Sequence, residues 1–175
     1  MQRKMQRWIA TRWTGSFEIF LGIWAVELVA LVIMCLFIAL FHAAHLMDVE
    51  HGSGREVVRI LRGMSAWQRL WTLVSVTLIE EVVFRAIVLA PVLRHFHPDR
   101  RGVWPLVAAV TLSSVTFGYF HGEWVNIFIQ GVNGMGLAII FLKSGGWQKE
   151  FWKPLFVAWM AHLGFDLAVT GSMFV

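Results

Sequence analysis

Five long apolar runs, separated by short polar segments, restrict the folds open to this chain more than any other feature. They cover approximately Phe17–Phe41, Leu70–Leu93, Val103–Phe120, Trp124–Leu142 and Phe151–Met173. Each is close to the ~20 residues with which a helix crosses the hydrocarbon core of a bilayer. In lipid no water satisfies an exposed N–H or C=O, so a spanning segment must be a helix or part of a closed barrel. None of the runs alternates with period two, which argues against the barrel. Composition agrees: 58% of the residues are hydrophobic and 15% are charged, against about a quarter charged in a soluble domain. A single water-soluble core cannot hide that much apolar surface, whereas lipid solvates it. The expected fold is all-α, a polytopic transmembrane helical bundle of about five to six membrane helices. No internal repeat or flexible linker divides the chain, so 1–175 is read as one membrane-embedded domain.

Within it, residues 1–16 read as an interfacial helix and 17–173 as the bundle. Met1–Trp13 places Arg3, Lys4, Arg7 and Arg12 among Met, Trp and Ile, the pattern of a segment anchored at the lipid–water boundary. A signal peptide is disfavoured, because the next apolar run is too long and no small-residue cleavage site follows it. The formal charge of +4 resides in the segments between runs, where cations mark the cytoplasmic side. Arg94, Arg100 and Arg101 follow the second run; Lys143, Lys149 and Lys153 follow the fourth; the link between the third and fourth has no Lys or Arg. An N-terminus in the cytoplasm accommodates all of these. The segment His42–Arg69 fits less well, since Arg55, Arg59, Arg62 and Arg69 would lie outside, partly offset by Asp48, Glu50 and Glu56. In it Val57, Val58, Ile60 and Leu61 read as a short amphipathic surface helix. No basic–aromatic pattern points to a nucleic-acid partner; the partner that composition implies is the bilayer. Trp104, Trp124, Trp147 and Trp152 near run ends read as interface anchors. Cys35 is the only cysteine, which excludes an intramolecular disulfide and a cysteine zinc site; it reads as a small packing residue in lipid.

The second run, WTLVSVTLIEEVVFRAIVLAP, contains Glu80, Glu81 and Arg85. Each costs roughly 2.5–3.5 kcal/mol at the bilayer centre by insertion scales, so the three must face a protein interior or a wet cavity. Glu81 and Arg85 are four apart, with the acid on the favourable N-terminal side, and are expected to pair. Glu80 is rotated about 100° from Glu81, so Arg85 reaches it less directly and it is left as the candidate general base. The third run ends in FGYFH, with Phe117 and His121 on one face, and the fifth contains HLGFD, with His162 and Asp166 on one face. Buried acids need donors, and two histidines and an aspartate on other helices supply partners. The bland alternative is a polar clamp that only holds the bundle together.

These residues resemble the signatures EExxxR, FxxxH and HxxxN/D of the CPBP (CAAX protease and bacteriocin-processing, or ABI) family. They stand here as Glu80-Glu81-Val82-Val83-Phe84-Arg85, Phe117-Gly118-Tyr119-Phe120-His121 and His162-Leu163-Gly164-Phe165-Asp166. Order and spacing agree over Glu80–Asp166; the first run and the N-terminal helix lie outside the resemblance. It implies a glutamate-dependent intramembrane endopeptidase without a cofactor. Glu80 and His121 would activate a water that attacks the scissile carbonyl with no covalent enzyme intermediate. His162 and the residue at 166 would stabilise the oxyanion, and Arg85 would orient the glutamate pair. Position 166 is Asp where the eukaryotic CAAX enzymes have Asn, so it must be protonated or orient His162 instead. The short chain favours a bacterial or archaeal peptide-processing or immunity role over a prenylated substrate.

No HExxH or GxSxG motif is present. His42 with His45, at the exit of the first run, and His95 with His97, in a loop, offer metal ligands, but isolated pairs near a membrane surface are usually incidental. A stronger rival has Glu80, Glu81, His121, His162 and Asp166 hold zinc with one position open for water; sequence does not separate the two ways of activating water. A non-enzymatic transporter or immunity protein is the other class. Gly131, Gly134 and Gly136 in the fourth run would allow the broken helix of a transporter, and serve close helix packing equally well.

Overall fold

The computed structural model describes residues 8, 11–44, 59–95 and 103–172. The regular structure of the described chain is all helical, with no strand among the described residues. The helices are α1 (Ser16–Ala43), α2 (Ala66–Glu81), a π-helical segment (Val82–Leu89), α3 (Ala90–His95), α4 (Trp104–Phe120), α5 (Asn126–Lys143) and α6 (Trp152–Ser172), with a 3-10 turn at Gly146–Gln148. The helical-bundle expectation is borne out. Three helices, α1, α5 and α6, are long and apolar enough to cross a membrane, and α4 is a shorter apolar helix. The remaining run, Leu70–Leu93, lies in the unbroken rod from α2 through the π-helical segment into α3, where the charged trio interrupts the apolar sequence.

Local chemistry sets the ends. α2 starts four residues earlier than its apolar run because Ser65 and Gln68 form a capping box. Ser65 Oγ accepts from Gln68 N at 3.3 Å, and Gln68 Oε1 accepts from Ser65 N at 2.9 Å, satisfying two N–H groups that the first turn leaves open. At the start of α1, the Glu18 carboxylate accepts from the amides of Thr14 and Gly15. Residues 11–14 are not helical; residues 1–7 and 9–10 of the expected interfacial helix lie outside the described residues, as do His45, Val57, Val58 and His97. Ile60 and Leu61 of the expected surface helix are helical, with Leu61 buried and Ile60 exposed. Trp8 and residues 11–14 strap one end of the bundle. Trp13 N donates to the Lys143 carbonyl at 2.9 Å, Lys143 Nζ donates to the Trp8 carbonyl at 2.7 Å, and Arg12 pairs with Glu150.

The helices divide by what surrounds them. α1 turns most of its surface outward: Phe17, Leu28, Val32, Leu36 and Leu40 are exposed, as is Cys35, while Ala30, Met34 and Phe41 are buried. α5 is the hub, packed against α1, α4 and α6, with Leu137, Ala138, Ile140 and Phe141 fully buried. It is continuous through Gly131, Gly134 and Gly136, whose open faces meet the Ser114 carbonyl, the Phe117 ring and Val26. These glycines therefore serve close packing, not a break in the helix. α4 is pressed against the start of α5 at Gly118, where a methyl group would fall 2.6 Å from Ile127 Cα and overlap the Asn126 carbonyl. Backbone cannot yield there as a side-chain tip can. Gly118→Ala is expected to destabilise the bundle by about 1–3 kcal/mol, the range of overpacked sites, measurable as a lowered midpoint in detergent unfolding.

Candidate active site

Charged and imidazole side chains converge where the α2 rod, α4 and α6 meet beside α5. Arg85 is completely buried, and so is Glu81. Arg85 Nε lies 3.1 Å from Glu81 Oε2, the i,i+4 pair expected from spacing. Its remaining N–H groups reach the Gly134 carbonyl at 3.1 Å and Ser113 Oγ at 3.4 Å. Ser113 Oγ in turn donates to the Phe84 carbonyl at 3.3 Å. The rod becomes π-helical directly after Glu81, with the Ala90 amide donating to the Arg85 carbonyl five residues back. Such wide turns leave carbonyls to be satisfied from outside the helix and recur at functional positions. Ser113 and the Gly134 carbonyl are thus the partners of Arg85 that lie outside the three motifs; no motif reading picks out a carbonyl.

His162 from α6 joins both glutamates. Its Nδ1 is 3.1 Å from Glu81 Oε1 and its Nε2 is 3.5 Å from Glu80 Oε2. A carboxylate only accepts, so Nδ1 carries hydrogen toward Glu81. Asp166 Oδ2, one turn along α6, is 3.8 Å from the same Nε2. Register between α6 and the rod is fixed one turn earlier on each, where Trp159 Nε1 donates to Thr77 Oγ1 at 3.2 Å.

His121 closes the opposite side. It is the C-cap of α4, after which Gly122 at φ 94° takes the left-handed conformation that glycine adopts without a Cβ clash. The turn leads back into α5, and Asn126 Nδ2 donates to the His121 carbonyl at 2.9 Å. His121 Nδ1 is 2.7 Å from the Phe117 carbonyl. A carbonyl also only accepts, so Nδ1 carries a proton toward it, and Nε2 faces Glu80 Oε1 at 3.9 Å. The Phe117 ring lies between the two imidazoles, with centroids 4.6 Å from His121 and 5.7 Å from His162. It fixes the spacing of both.

The geometry separates two groups. Glu81, Arg85 and His162 are sealed, whereas Glu80, His121 and Asp166 are 23%, 29% and 30% exposed. All six residues singled out in the sequence are brought into one cluster. Separations of 3.5–3.9 Å around Glu80 are longer than a direct hydrogen bond, so its carboxylate is not locked to either imidazole. Among the described residues, no three His, Cys, Asp or Glu side chains are grouped as metal ligands. His95 instead engages the Pro91 carbonyl of its own helix at 2.9 Å.

One acid was passed over in the sequence. Glu27 of α1 turns its carboxylate into the bundle, with both oxygens buried and without a hydrogen-bond partner. The signal was present, since a glutamate halfway along an apolar run carries the same insertion penalty as Glu80.

Fold and site together define a helical membrane protein with an acid–imidazole cluster in its interior. A protein-family model described as Rce1-like, type II CAAX prenyl endopeptidase Rce1-like, matches residues 62–168. The chain belongs to that family, which bears out the resemblance carried by the three signatures. The match encloses Glu80, Glu81, Arg85, His121, His162 and Asp166 and excludes Glu27. No curated protein and no solved structure matches the chain. The family is one of membrane proteases, and peptide hydrolysis in the membrane is the activity it supports.

Proposed function

We propose that the chain is a glutamate-dependent intramembrane endopeptidase acting on a peptide or C-terminal segment of a membrane-associated substrate. The observation that carries this is the environment of Glu80. Its carboxylate is partly open, lies between His121 Nε2 and His162 Nε2, and is spared the ion pair that occupies Glu81. Glu80 takes a proton from a water held between it and His121 while the water oxygen bonds to the scissile carbonyl carbon. His162, with Nδ1 on Glu81 and a proton on Nε2, stabilises the oxyanion. The C–N bond then breaks and the proton on Glu80 passes to the leaving nitrogen, which returns the carboxylate. Asp166 orients His162, the role that its side chain 3.8 Å from Nε2 suits. Arg85 holds Glu81 and through it the ring of His162.

Quantitative proteomics of intact cells carrying wild type or Glu80→Gln tests the reading: uncleaved precursors are expected to accumulate only with the variant. Identical peptide profiles from the two strains would sink it. Metal dependence is tested separately. Treatment of the purified protein with a chelator is expected to leave cleavage unchanged, and stoichiometric zinc with activity lost on its removal would install the zinc mechanism instead. The N-terminus is assigned to the cytoplasm of a prokaryotic cell. The strap supports this by gathering Arg12, Lys143 and Lys149 at one end of the bundle, where the positive-inside rule places cations.

A further inference from the structure

The catalytic reading uses the middle of the bundle and leaves its strapped end unexplained. At that end Trp8 and residues 11–14 meet the close of α5, the end of α3, and the turn that leads into α6. α4 starts there too, with Leu106 packed beside Leu93, Phe141 and Leu155. Trp8, Trp104 and Trp152 are exposed around it. Indole rings gather at the head-group level of a bilayer, so this end lies where lipid phosphates are found.

Its charge is unbalanced. Arg12, Arg94, Lys143, Lys149 and Lys153 belong to these segments, against the carboxylates of Glu18 and Glu150. Both carboxylates are occupied: Glu18 accepts from the amides of Thr14 and Gly15, and Glu150 accepts two parallel bonds from Arg12. Lys143 donates to the Trp8 carbonyl. No carboxylate among the described residues pairs with Arg94, Lys149 or Lys153.

Two of these cations stand on the walls of one cleft. It has about 220 Å³ of space, part of it open to the surroundings, and lies between the end of α3 and the turn that joins α5 to α6. Arg94 and Lys149 line it with Gly146, Glu150 and Phe151. The Arg94 guanidinium lies over the Phe151 ring, 5.8 Å from its centroid, a contact that holds the charge at the cleft. α6 begins at Trp152, directly after Phe151, so the positive end of its dipole is at the same wall. Lys149 adds a backbone observation. It is the only non-glycine with a positive φ among the described residues, at 65°. Its turn is closed by the Gln148 and Glu150 amides, which donate to the Gly145 carbonyl at 3.0 and 3.2 Å. A glycine would adopt that φ without a Cβ clash. Strained residues of this kind cluster at ligand clamps, and the ammonium accounts for a lysine where the backbone favours glycine.

We propose that this cleft seats the phosphate of an anionic phospholipid head group, gripped by Arg94 from α3 and Lys149 from the turn. Basic pockets between membrane helices take phosphate head groups in this way. The seat joins the rod that carries Glu80 and Glu81 to the turn that leads into α6 and His162. An occupied seat therefore braces the two elements that bring the acids to the imidazole. The inference is independent of the protease reading.

The full chain in detergent is titrated separately with phosphatidylglycerol, phosphatidylcholine and inorganic phosphate. Bound lipid is counted by native mass spectrometry, and stability is read from the thermal unfolding midpoint. Wild type is expected to retain phosphatidylglycerol in preference to phosphatidylcholine and to unfold at a higher temperature with it. Arg94→Gln and Lys149→Gly are each expected to weaken phosphatidylglycerol binding about fivefold, the worth of one cation beside an anionic head group. Lys153→Gln, which removes a cation of the same end from outside the cleft, is expected to leave binding near wild type. Without lipid, the midpoint of Lys149→Gly should equal or exceed that of wild type, because glycine relieves the turn. Equal retention of the two lipids, or an equal loss in all three variants, would overturn the seat in favour of diffuse surface charge. Inorganic phosphate that stabilises as well as phosphatidylglycerol and displaces it would overturn the lipid assignment. A lowered lipid-free midpoint in Lys149→Gly would show that the lysine serves the turn itself and would overturn its role as a clamp.

Discussion

Glu80→Gln is expected to produce a folded, membrane-inserted protein whose peptide cleavage has fallen by about 10²–10⁴-fold, the usual contribution of a positioned general base. Glutamine has nearly the volume of glutamate, so the packing of the rod against α6 survives. What is lost is the ability to take a proton from water. Glu80 is suited to this substitution because nothing holds it tightly. Its nearest imidazole nitrogens are 3.5 and 3.9 Å away, beyond a direct hydrogen bond, and stability should change little. A neutral amide at this position also removes one partly exposed negative charge from a cluster that has an excess of them. Detergent-unfolding midpoints equal to or above wild type, combined with lost cleavage, are the signature of a chemical role. Retention of more than a tenth of wild-type turnover would transfer the base to another residue.

The bundle was legible because lipid imposes a simple rule. Long apolar runs must become helices, and five of them left few alternatives. The site was legible for a related reason. An acid pair and an arginine in the middle of such a run need partners, and other runs carried imidazoles and an aspartate at one-turn spacing. Both arguments depend on side-chain type and period, which sequence shows directly. Two features were not read. The early start of α2 was written in Ser65 and Gln68, but the search for spans followed hydropathy, and a capping box is polar. Glu27 was overlooked because α1 lies beyond the three signatures, although the penalty argument applied to it unchanged. The partners of Arg85 on α4 and α5 are of another kind. Gly134 contributes a backbone carbonyl, which every residue has, and Ser113 is one of several hydroxyls in α4. Only the approach of α4 and α5, set by small residues such as Gly118 and Gly131, turns them into ligands of a guanidinium.

Arg85→Met should have the largest effect on stability, about 3–5 kcal/mol, the cost of leaving one member of a buried ion pair alone. Glu81 has no exposed surface from which to recruit water, and the substitution removes its partner at 3.1 Å. The Gly134 carbonyl and Ser113 Oγ lose donors in the same step. The π-helical segment loses the tie that holds it to α4 and α5. Activity should fall as well, because Glu81 is the partner of His162 Nδ1 and an unpaired Glu81 no longer fixes that ring. Arg85→Lys is expected to be an intermediate case. One ammonium keeps the charge but cannot span Glu81, Gly134 and Ser113 as a planar guanidinium does. The double variant Glu81→Gln/Arg85→Met separates charge from packing. With no lone carboxylate left behind, it should be more stable than Arg85→Met, with a coupling of about 0.5–3 kcal/mol in a double-mutant cycle. It should still be a poor enzyme, since a neutral amide in place of the Glu81 carboxylate removes the acceptor charge at His162 Nδ1. Additive losses would mean that the Glu81–Arg85 contact adds nothing to stability beyond its separate parts. Recovery of activity together with stability would show that the pair only holds helices together.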